Sequence, residues 1–343
     1  MANSFDNLRL EKGMYGVAGK SFSQVLEDAD PSENYKGTAL EGMDAFQRQL
    51  KRFDIKVKGF GSDSVDKFFQ TSEASVLFPE YISRCVRAGM DQMDVLPNIC
   101  ATVTQFDGQD YRSVYADTTD DEKTLKAVME GAEIPRTTIT TSSNLVKLNK
   151  RGRMLVASYE AIRFQKLDLF AITLRQIGNY IMKTHLNDAV NVIVNGDGNN
   201  NAATSYAVGT SPIGGTSGTL DYGALVDFWA QFDPYEMNTI IAPSATLPDI
   251  LKLTAFQDAE AGLMFHANGQ LVTPLGARIL RSDAVTSGSL IGLDKNYALE
   301  MIRSGDVMVE YDKIIDRQLE RAAITSIAGF AKIYKDASAV LAI

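Results

Sequence analysis

The longest helical pattern of the chain is YEAIRFQKLDLFAITLRQIGNYIMKTHLNDAVNVIVN, which runs from Tyr159 to Asn195. Its apolar residues recur mostly three and four positions apart, which is typical of one face of an α-helix. They are Ile162, Leu167, Phe170, Leu174, Ile177, Ile181, Ala189, Val190, Ile193 and Val194. Such a helix would span about 54 Å at about 1.5 Å per residue, whereas helices of globular proteins average about 11–12 residues. Gly196 follows the pattern, as glycine often follows a helix C-terminus, so the sequence predicts one long spine helix.

A polar, extended segment precedes the spine helix. Residues Phe106–Tyr115 alternate as strands do, and Thr137–Arg153 form a second run with β propensity. The polar residues between them predict a mobile, solvent-exposed tip at Asp117, Asp120, Asp121 and Lys123. Because an isolated two-stranded hairpin is only marginally stable in water, this extended loop (residues 104–150) is expected to rest on another chain.

Residues 1–66 are polar and rich in turn-forming residues, except for one amphipathic helical pattern at Met43–Phe53. These residues predict an N-terminal arm that orders only against a partner. A segment that is removed during maturation would have the same composition, and the sequence does not separate the two alternatives.

Hydrophobic patterns and turn residues predict the other elements. A helical region that is interrupted at Pro79 (Lys67–Gly89) and a strand (Val95–Val103) precede the extended loop. After the spine helix we expect a flexible loop, a small α/β unit and a final set of strands that pair with one another. The expected bounds are Asp197–Gly218 for the loop, Tyr222–Phe232, Thr239–Ala242, a helix from its cap Ser244 to Phe256, Arg278–Leu280 and Leu290–Leu293 for the α/β unit, and Ala298–Ile302, Val307–Tyr311 and Ala322–Lys335 for the final strands.

Composition limits the class of protein. The chain has 343 residues, of which 45% are hydrophobic, enough for a sizeable core in one or two domains. Its net charge of −9 argues against a dedicated nucleic-acid binder, which would present a basic face. With no signal-peptide pattern and no run of about 18 apolar residues, we expect a soluble protein made in the cytosol, without a membrane partner. Cys85 and Cys100, which have no zinc-binding spacing, are expected to be reduced and buried.

Motifs for catalysis or cofactor binding are missing from the sequence. His185 and His266 are too few for a histidine-based metal site or catalytic triad. The loop that begins at Asn195 starts like a calcium loop, but its sixth residue is not Gly and its twelfth, Tyr206, is not Glu. The Gly-rich stretch VGTSPIGGTSG (Val208–Gly218) lacks the ending that cradles phosphate. We therefore expect no cofactor, no metal site and no enzymatic activity.

Charged residues cluster near the end of the chain. They are Glu310, Asp312, Lys313, Asp316, Arg317, Glu320 and Arg321. Paired acids are able to perform acid–base chemistry, and a hydrolase that uses Glu310, Asp312 and Asp316 is the enzymatic alternative. Because no nucleophile or basic pocket accompanies them, we interpret the cluster as ion pairs across subunits or as a solvated charged face.

Three segments resemble the major capsid proteins of tailed bacteriophages, which have the Hong Kong 97-type fold; they are Phe78–Ile82, Glu130–Pro135 and Lys147–Arg163. In that family a Val-x-Glu-Gly-x-x-x-Pro turn closes the extended loop, and a stretch from a lysine to Ser-x-Glu leads into the spine helix. The matching residues here are Val128, Glu130, Gly131 and Pro135, then Lys150, Ser158 and Glu160. Ser326–Ala331 also resembles a late strand of the family, so the resemblance covers roughly residues 67–340.

The resemblance implies an α+β phage major capsid fold. Its parts would be an N-terminal arm (1–66), the extended β-hairpin loop (104–150), a peripheral domain with the spine helix (67–103, 151–196 and 296–343) and an axial α/β domain (197–295). It also implies a structural protein of the virion, assembled in the host cytoplasm. Its copies would form pentamers and hexamers of an icosahedral shell around double-stranded DNA, without sequence-specific DNA binding. Scaffold, portal or decoration proteins would be further partners.

Some members of the family crosslink a loop lysine to an asparagine of a neighbour. Lys123 and Lys126 lie in the extended loop, but no motif identifies the asparagine. An encapsulin-type compartment, whose shell is similar in fold but encloses a cargo enzyme, is the alternative function. The long polar N-terminal region disfavours it, since encapsulin-like chains typically have little sequence before the helix that supports the spine.

Charge density beside segments with β propensity predicts the residues that contact neighbouring subunits. They are Glu130, Glu133 and Arg136 at the base of the extended loop, Arg151 and Arg153 before the spine helix, and Glu310, Asp312 and Arg317 in the late cluster.

Overall fold

The structure is a computed structural model that describes residues 4–17, 19–106, 108, 111–115, 127–130, 133–134, 140–141, 144–254, 273, 275–305 and 307–343. Within these residues the helices are α1 (Ser4–Asn7), α2 (Phe22–Ala29), α3 (Ala45–Arg52), α4 (Ser72–Val76), α5 (Phe78–Gln92), α6 (Tyr159–Phe164), α7 (Leu167–Asn195), α8 (Tyr222–Ala230) and α9 (Leu247–Leu251). The strands are β1 (Thr102–Gln105), β2 (Val114–Tyr115), β3 (Thr140–Thr141), β4 (Asn149–Ser158), β5 (Thr204–Ala207), β6 (Thr239–Ala242), β7 (Arg278–Arg281), β8 (Ser289–Leu293), β9 (Leu299–Arg303), β10 (Met308–Ile314), β11 (Leu319–Lys332) and β12 (Ser338–Ala342).

The chain divides into two compact units. Unit 1 comprises Met1–Met93, Arg151–Met182 and Asp306–Ser326. Unit 2 comprises Asp94–Lys150, Lys183–Gly305 and Ile327–Ile343. The long elements α7 and β11 therefore each contribute to both units.

The predicted spine helix is divided in two. The backbone between α6 and α7 pairs with an earlier segment of unit 1 instead of continuing the helix. The amide of Val65 donates to the carbonyl of Gln165 at 3.0 Å, and the amide of Leu167 donates to the carbonyl of Asp63 at 2.9 Å. The prediction of one uninterrupted helix is therefore wrong. The second part, α7, still has 29 residues and ends before Gly196 (φ +82°), as predicted.

The N-terminal part of unit 1 is a folded helical layer. Capping boxes begin two of its helices, with Ser21 and Gln24 at α2 and Asp44 and Gln47 at α3. The pattern at Met43–Phe53 is confirmed as α3. Apolar side chains of the layer are buried within the single chain, among them Phe5, Phe22, Leu26, Tyr35, Leu40, Phe46 and Leu50. This burial contradicts the prediction that the segment orders only against a partner.

Helices α5 and α7 approach each other closely within unit 1. A Cβ at Gly89 would collide with the backbone of Arg175, and a Cβ at Gly178 would collide with the backbone of Val86. Glycine at both positions permits the contact because it has no side chain. Pro79 does not interrupt α5, since it lies in the first turn, where the missing N–H costs no hydrogen bond. The helical region is interrupted at Leu77, between α4 and α5, so the predicted interruption exists but lies two residues before Pro79.

The strands of unit 1 are β10, the first part of β11, and β4. β10 and β11 pair antiparallel, with Met308 opposite Thr325 and Asp312 opposite Arg321. β4 also pairs with β11, and Gly152 lies against Thr325 where a side chain would not fit. The prediction that the late strands pair with one another is confirmed.

Unit 2 contains a five-stranded mixed sheet in the order β5-β12-β8-β6-β7. β12 and β6 each lie antiparallel to β8, while β5 and β7 are parallel to their neighbours. Leu225 and Phe228 of α8 belong to one buried cluster with Ile240, Leu290 and Leu341 of the sheet. The helix and strands predicted for this region are confirmed.

Two other predictions for unit 2 are wrong. Asp197–Gly218 is not a loop throughout, because β5 lies within it and pairs with β12. Ser244 does not cap α9, which begins at Leu247 without a side-chain cap. The Ser244 hydroxyl instead donates to the carboxylate of Asp283.

A second group of strands in unit 2 comprises β1, β9 and the last part of β11. β1 is parallel to β9, and β9 is antiparallel to β11. β1 starts only at Thr102, because Pro97 lies in a 3-10 turn (Leu96–Asn98), so the strand predicted from Val95 is shorter than expected. In the described part of the extended loop, β2 pairs antiparallel with β3, which confirms the predicted two-stranded arrangement.

Candidate functional site

The first strand of the extended loop is held at its base by a buried carboxylate. Glu300 lies in β9 and is 7% exposed. Its Oε1 accepts hydrogen bonds from the hydroxyls of Thr104 (2.6 Å) and Tyr111 (2.7 Å), and its Oε2 accepts one from Ser113 (3.0 Å). Burial, followed by the hydrogen bond to Glu300, raises the pKa of Tyr111 to about 12, so its hydroxyl stays protonated as a donor.

The returning strand of the loop is held to the same unit. The amide of Val146 donates to the carbonyl of Tyr111 at 2.8 Å. The backbone amide of Asn144 donates to Asn199 at 3.1 Å, and its side chain donates to the carbonyl of Gly198. Val146 is buried in a small apolar cluster together with Ile302, Ala331, Phe106, Tyr111 and Leu148. Both strands of the extended loop are therefore fixed to unit 2 at their base.

The loop after α7, to which Asn144 is bound, is fixed by Asp197 and Lys332. The Asp197 carboxylate accepts from the backbone amides of Asn199 (3.1 Å) and Lys332 (3.0 Å). The Lys332 ammonium is buried and donates to the carbonyl of Ile193 at 3.3 Å, near the end of α7. Burial lowers the pKa of Lys332 to about 8, although Asp336 and Asp197 oppose the shift. Asp197, the third residue of the calcium-like loop, thus has a structural role.

The structure places the predicted contact residues on several surfaces. Glu130, Glu133, Arg153, Glu310, Asp312 and Arg317 are exposed, and Arg151 is half-buried. Arg136 and the predicted tip residues Asp117, Asp120, Asp121 and Lys123 lie outside the described residues, as does Lys126. Glu130 and Glu133 belong to unit 2, whereas the other described residues of this set belong to unit 1.

Within the late charged cluster, the structure pairs Asp312 with Arg321 and places Asp316 near Arg317. The guanidinium of Arg321 donates to Asp312 at 2.7 and 3.2 Å across the β10–β11 pair. Glu310 lines a cavity of about 540 Å³ in unit 1 together with Tyr15, Phe69 and Tyr311. Arg317 and Asp316 are both about three-quarters exposed and lie 4.0 Å apart. The three acids of the enzymatic alternative thus lie in three settings, with Glu310 at the cavity, Asp312 paired with Arg321 and Asp316 exposed.

Sequence reasoning missed an exposed apolar surface on unit 1. Leu169 and Ile172 on α7 are each 58% exposed, and Met154 and Val156 on β4 are 53% and 50% exposed. The signal was present in the sequence, since Leu169 and Ile172 lie outside the apolar stripe assigned to the helix core. Each pair lies on one face of its own element, because residues three apart on a helix and two apart on a strand are neighbours.

The cysteines and acids of the described residues do not form a metal site. Groups of three or more His, Cys, Asp or Glu side chains that could hold a metal ion do not occur among them. Cys85 and Cys100 are free thiols, and burial raises the pKa of Cys100 to about 12. Cys85 is half-buried, so the expectation that both cysteines are buried holds for Cys100 and is wrong for Cys85. In the same part of the chain, helices of sufficient length and apolarity to span a membrane are also absent.

The described residues thus combine a long helix, strands in both units and a loop that is fixed at its base. The sequence matches the model of a family described as phage capsid protein over residues 141–333, more than half of the chain. The chain belongs to the phage capsid protein family, as its motifs predicted. It is a structural protein of the virion capsid.

Solved structures of capsids and particles share the fold. The virus-like particle from Pyrococcus furiosus has a TM-score of 0.51 and 12% identity, over 76% of this chain and 98% of that chain. The capsid of the native GTA particle has a TM-score of 0.54 and 14% identity, over 72% and 89% of the two chains. A structure from Microbacterium phage Oxtober96 has a TM-score of 0.50 and 9% identity, over 72% and 90%. No curated protein sequence matches the chain. At these identities the likeness shows the fold alone, and it confirms the α+β phage major capsid fold.

Proposed function

We propose that the chain is the major capsid protein of a tailed phage or prophage. Its copies assemble into pentamers and hexamers of an icosahedral shell that encloses double-stranded DNA. The observation that carries the proposal is the extended loop, which is fixed at its base while Met129 and Ile134 on it are 85% and 73% exposed. Such exposed apolar side chains need a surface to bury them, and a neighbouring copy supplies it. One heterologous contact repeated around an axis then closes a ring.

The charge of the chain supports an enclosing role toward DNA. Its net charge is −9, and a shell of such subunits repels phosphate instead of gripping it. Binding of DNA through phosphates would be non-specific and dependent on salt. The shell therefore holds the genome by enclosure, without sequence-specific contacts.

We assign the parts of the chain by their resemblance to the family. Residues 197–295 form the axial domain around the five-fold and six-fold axes, and residues 104–150 form the loop that reaches the neighbour. The exposed charges Glu130, Glu133 and Arg153 lie at subunit contacts, with Arg151, Glu310, Asp312 and Arg317 as further candidates. Portal, scaffold or decoration proteins complete the particle, which assembles in the host cytoplasm.

A compartment shell that encloses a cargo enzyme is the second candidate. Its support is the match to 98% of the chain of a virus-like particle. The folded N-terminal layer in unit 1 argues against it, because a layer of this length before the spine helix is not typical of encapsulin-like chains.

The contents of purified particles test the proposal. Particles made in the native host should contain double-stranded DNA that resists nuclease, in closed shells with five-fold and six-fold capsomers by electron microscopy. Particles without protected DNA, in which an enzyme copurifies in fixed proportion, would establish the compartment instead. A chain that forms no particle in the native host would contradict both.

A further inference from the structure

We propose that Glu300 is a positioning residue that fixes the base of the extended loop within unit 2. By fixing this base it makes the subunit competent to assemble, so the inference rests on the proposed shell function. Nothing in the family motifs above involves this glutamate. It acts through the loop, so it requires no contact with a neighbouring subunit.

The Glu300 carboxylate accepts three hydrogen bonds from the start of the extended loop. Thr104 and Tyr111 both donate to Oε1 of Glu300, and Ser113 donates to Oε2. Thr104 lies in β1, and Tyr111 and Ser113 lie in the segment that leads to β2. A single carboxylate therefore binds three points of one segment, which fixes both the position and the orientation of the segment.

Tyr111 links Glu300 to the returning strand of the extended loop. The residue that donates its hydroxyl to Glu300, Tyr111, also accepts the amide of Val146 through its carbonyl, at 2.8 Å. Its ring packs edge-on against Phe106, with 5.3 Å between the centroids. Release of Tyr111 from Glu300 therefore loosens both strands at once, whereas release of Ser113 affects the first strand alone.

The buried carboxylate of Glu300 depends on its hydrogen-bond donors. Glu300 is 7% exposed, and a buried charge must keep its hydrogen bonds because water cannot replace them. Hydrogen bonds to a charged group are stronger than those between neutral groups. A glutamine at position 300 keeps a carbonyl oxygen for Thr104 and Tyr111, and its amide can donate to the Ser113 hydroxyl. A leucine keeps the size of the side chain and none of the bonds.

The experiment compares Glu300→Gln, Glu300→Leu and Tyr111→Phe in the full chain. Hydrogen exchange of the free subunit is measured for peptides within 104–115 and 144–150, with a β8 peptide as internal reference. The yield of shells is measured by sedimentation and electron microscopy. Tyr297→Phe is the matched control, because its ring is 48% exposed and it also loses only a hydroxyl.

We expect Tyr111→Phe and Glu300→Leu to speed exchange at both peptides about tenfold or more, the effect of one lost hydrogen bond to a charged group. The β8 peptide should be unchanged, and the yield of shells should fall. Glu300→Gln should keep most of the protection and the yield, because glutamine keeps the hydrogen bonds. If the negative charge itself were required at position 300, Glu300→Gln would be as defective as Glu300→Leu. Tyr297→Phe should resemble the parent chain.

Three results would overturn the inference. They are unchanged exchange in Tyr111→Phe, normal shell yield despite faster exchange at the base, or a Glu300→Gln variant as defective as Glu300→Leu. If the parent chain itself forms no shells while the exchange results hold, the proposed function fails and the anchoring of the loop by Glu300 stands.

Discussion

Replacement of Arg48 by methionine tests whether the N-terminal layer of unit 1 is a folded part of the single chain. Both Arg48 and Asp30 are fully buried, and the Arg48 Nε donates to the Asp30 carboxylate at 2.7 Å. The guanidinium also donates to Ser32 at 3.0 Å and lies 4.3 Å from the centre of the Tyr35 ring. Arg48 thus joins α3 to the segments on either side of the turn after α2.

The expected loss of stability follows from the charge that remains. In Arg48→Met the Asp30 carboxylate stays buried with the Tyr35 hydroxyl at 2.6 Å as a donor and without its cation. Breaking a fully buried pair in this way costs about 3–5 kcal/mol, whereas replacing both partners by apolar residues is often nearly neutral. The double variant Arg48→Met/Asp30→Leu should therefore be clearly more stable than Arg48→Met alone.

Urea unfolding and hydrogen exchange across residues 22–52 measure these differences. The control is Lys20→Met, which removes an exposed pair with Asp28 (2.6 Å) and should cost about 0–1 kcal/mol. An Arg48→Met variant no less stable than Lys20→Met would refute the reasoning. A double variant Arg48→Met/Asp30→Leu that is no more stable than Arg48→Met alone would also refute it.

Three further predictions concern α7, Lys332 and the subunit contacts. Gly178→Ala should destabilise unit 1 by about 1–3 kcal/mol in urea unfolding, because its methyl group meets a carbonyl of α5, whereas Gly61→Ala, with open space around it, should not. Lys332→Met should raise the free energy of unfolding by up to about 3 kcal/mol below pH 8. The reason is that burial lowers the pKa of this amine from 10.5 to about 8, so the folded state disfavours the charged form that is present below pH 8. The advantage should vanish as the pH rises from 8 to 10.5, and an advantage independent of pH in thermal melts would be inconsistent with the cause. Arg151→Glu and Arg153→Glu should lower the yield of shells while the free subunit unfolds normally, and normal assembly of both would remove them from the subunit contacts.

Elements whose pattern is local were predictable from the sequence. The strand Thr239–Ala242 has the predicted bounds, because four consecutive apolar or β-branched residues between turn residues form a fully buried strand. The end of α7 was also predictable, since the next residue, Gly196, adopts the positive φ that glycine favours. The order and spacing of three short segments, Phe78–Ile82, Glu130–Pro135 and Lys147–Arg163, were sufficient to predict the family.

Features that depend on distant residues were not predictable. The break before α7 arises because Gln165 binds the amide of Val65, which is far away in the sequence. The N-terminal layer was mistaken for an arm because its interior includes the charged residues Asp30 and Arg48, which a hydrophobic pattern counts as surface. In both places a partner remote in the sequence decides the local structure.

The anchor of the extended loop left a weak signal in the sequence. Glu300 lies in a strand between the apolar residues Leu299 and Met301, all of them buried. An acid within such a strand needs buried donors, and the hydroxyls of Thr104, Tyr111 and Ser113 are the donors in the structure. Sequence reasoning instead favoured Glu130 and Glu133, which are exposed.

Cryo-electron microscopy of the purified chain after it has been placed in assembly conditions tests the central claim most directly. We expect closed shells in which the extended loop of each copy lies on a neighbour and the apolar residues Leu169, Ile172, Met129 and Ile134 are covered by other copies or by internal partners. A chain that remains monomeric in every condition, with its loop folded back on its own body, would contradict the account.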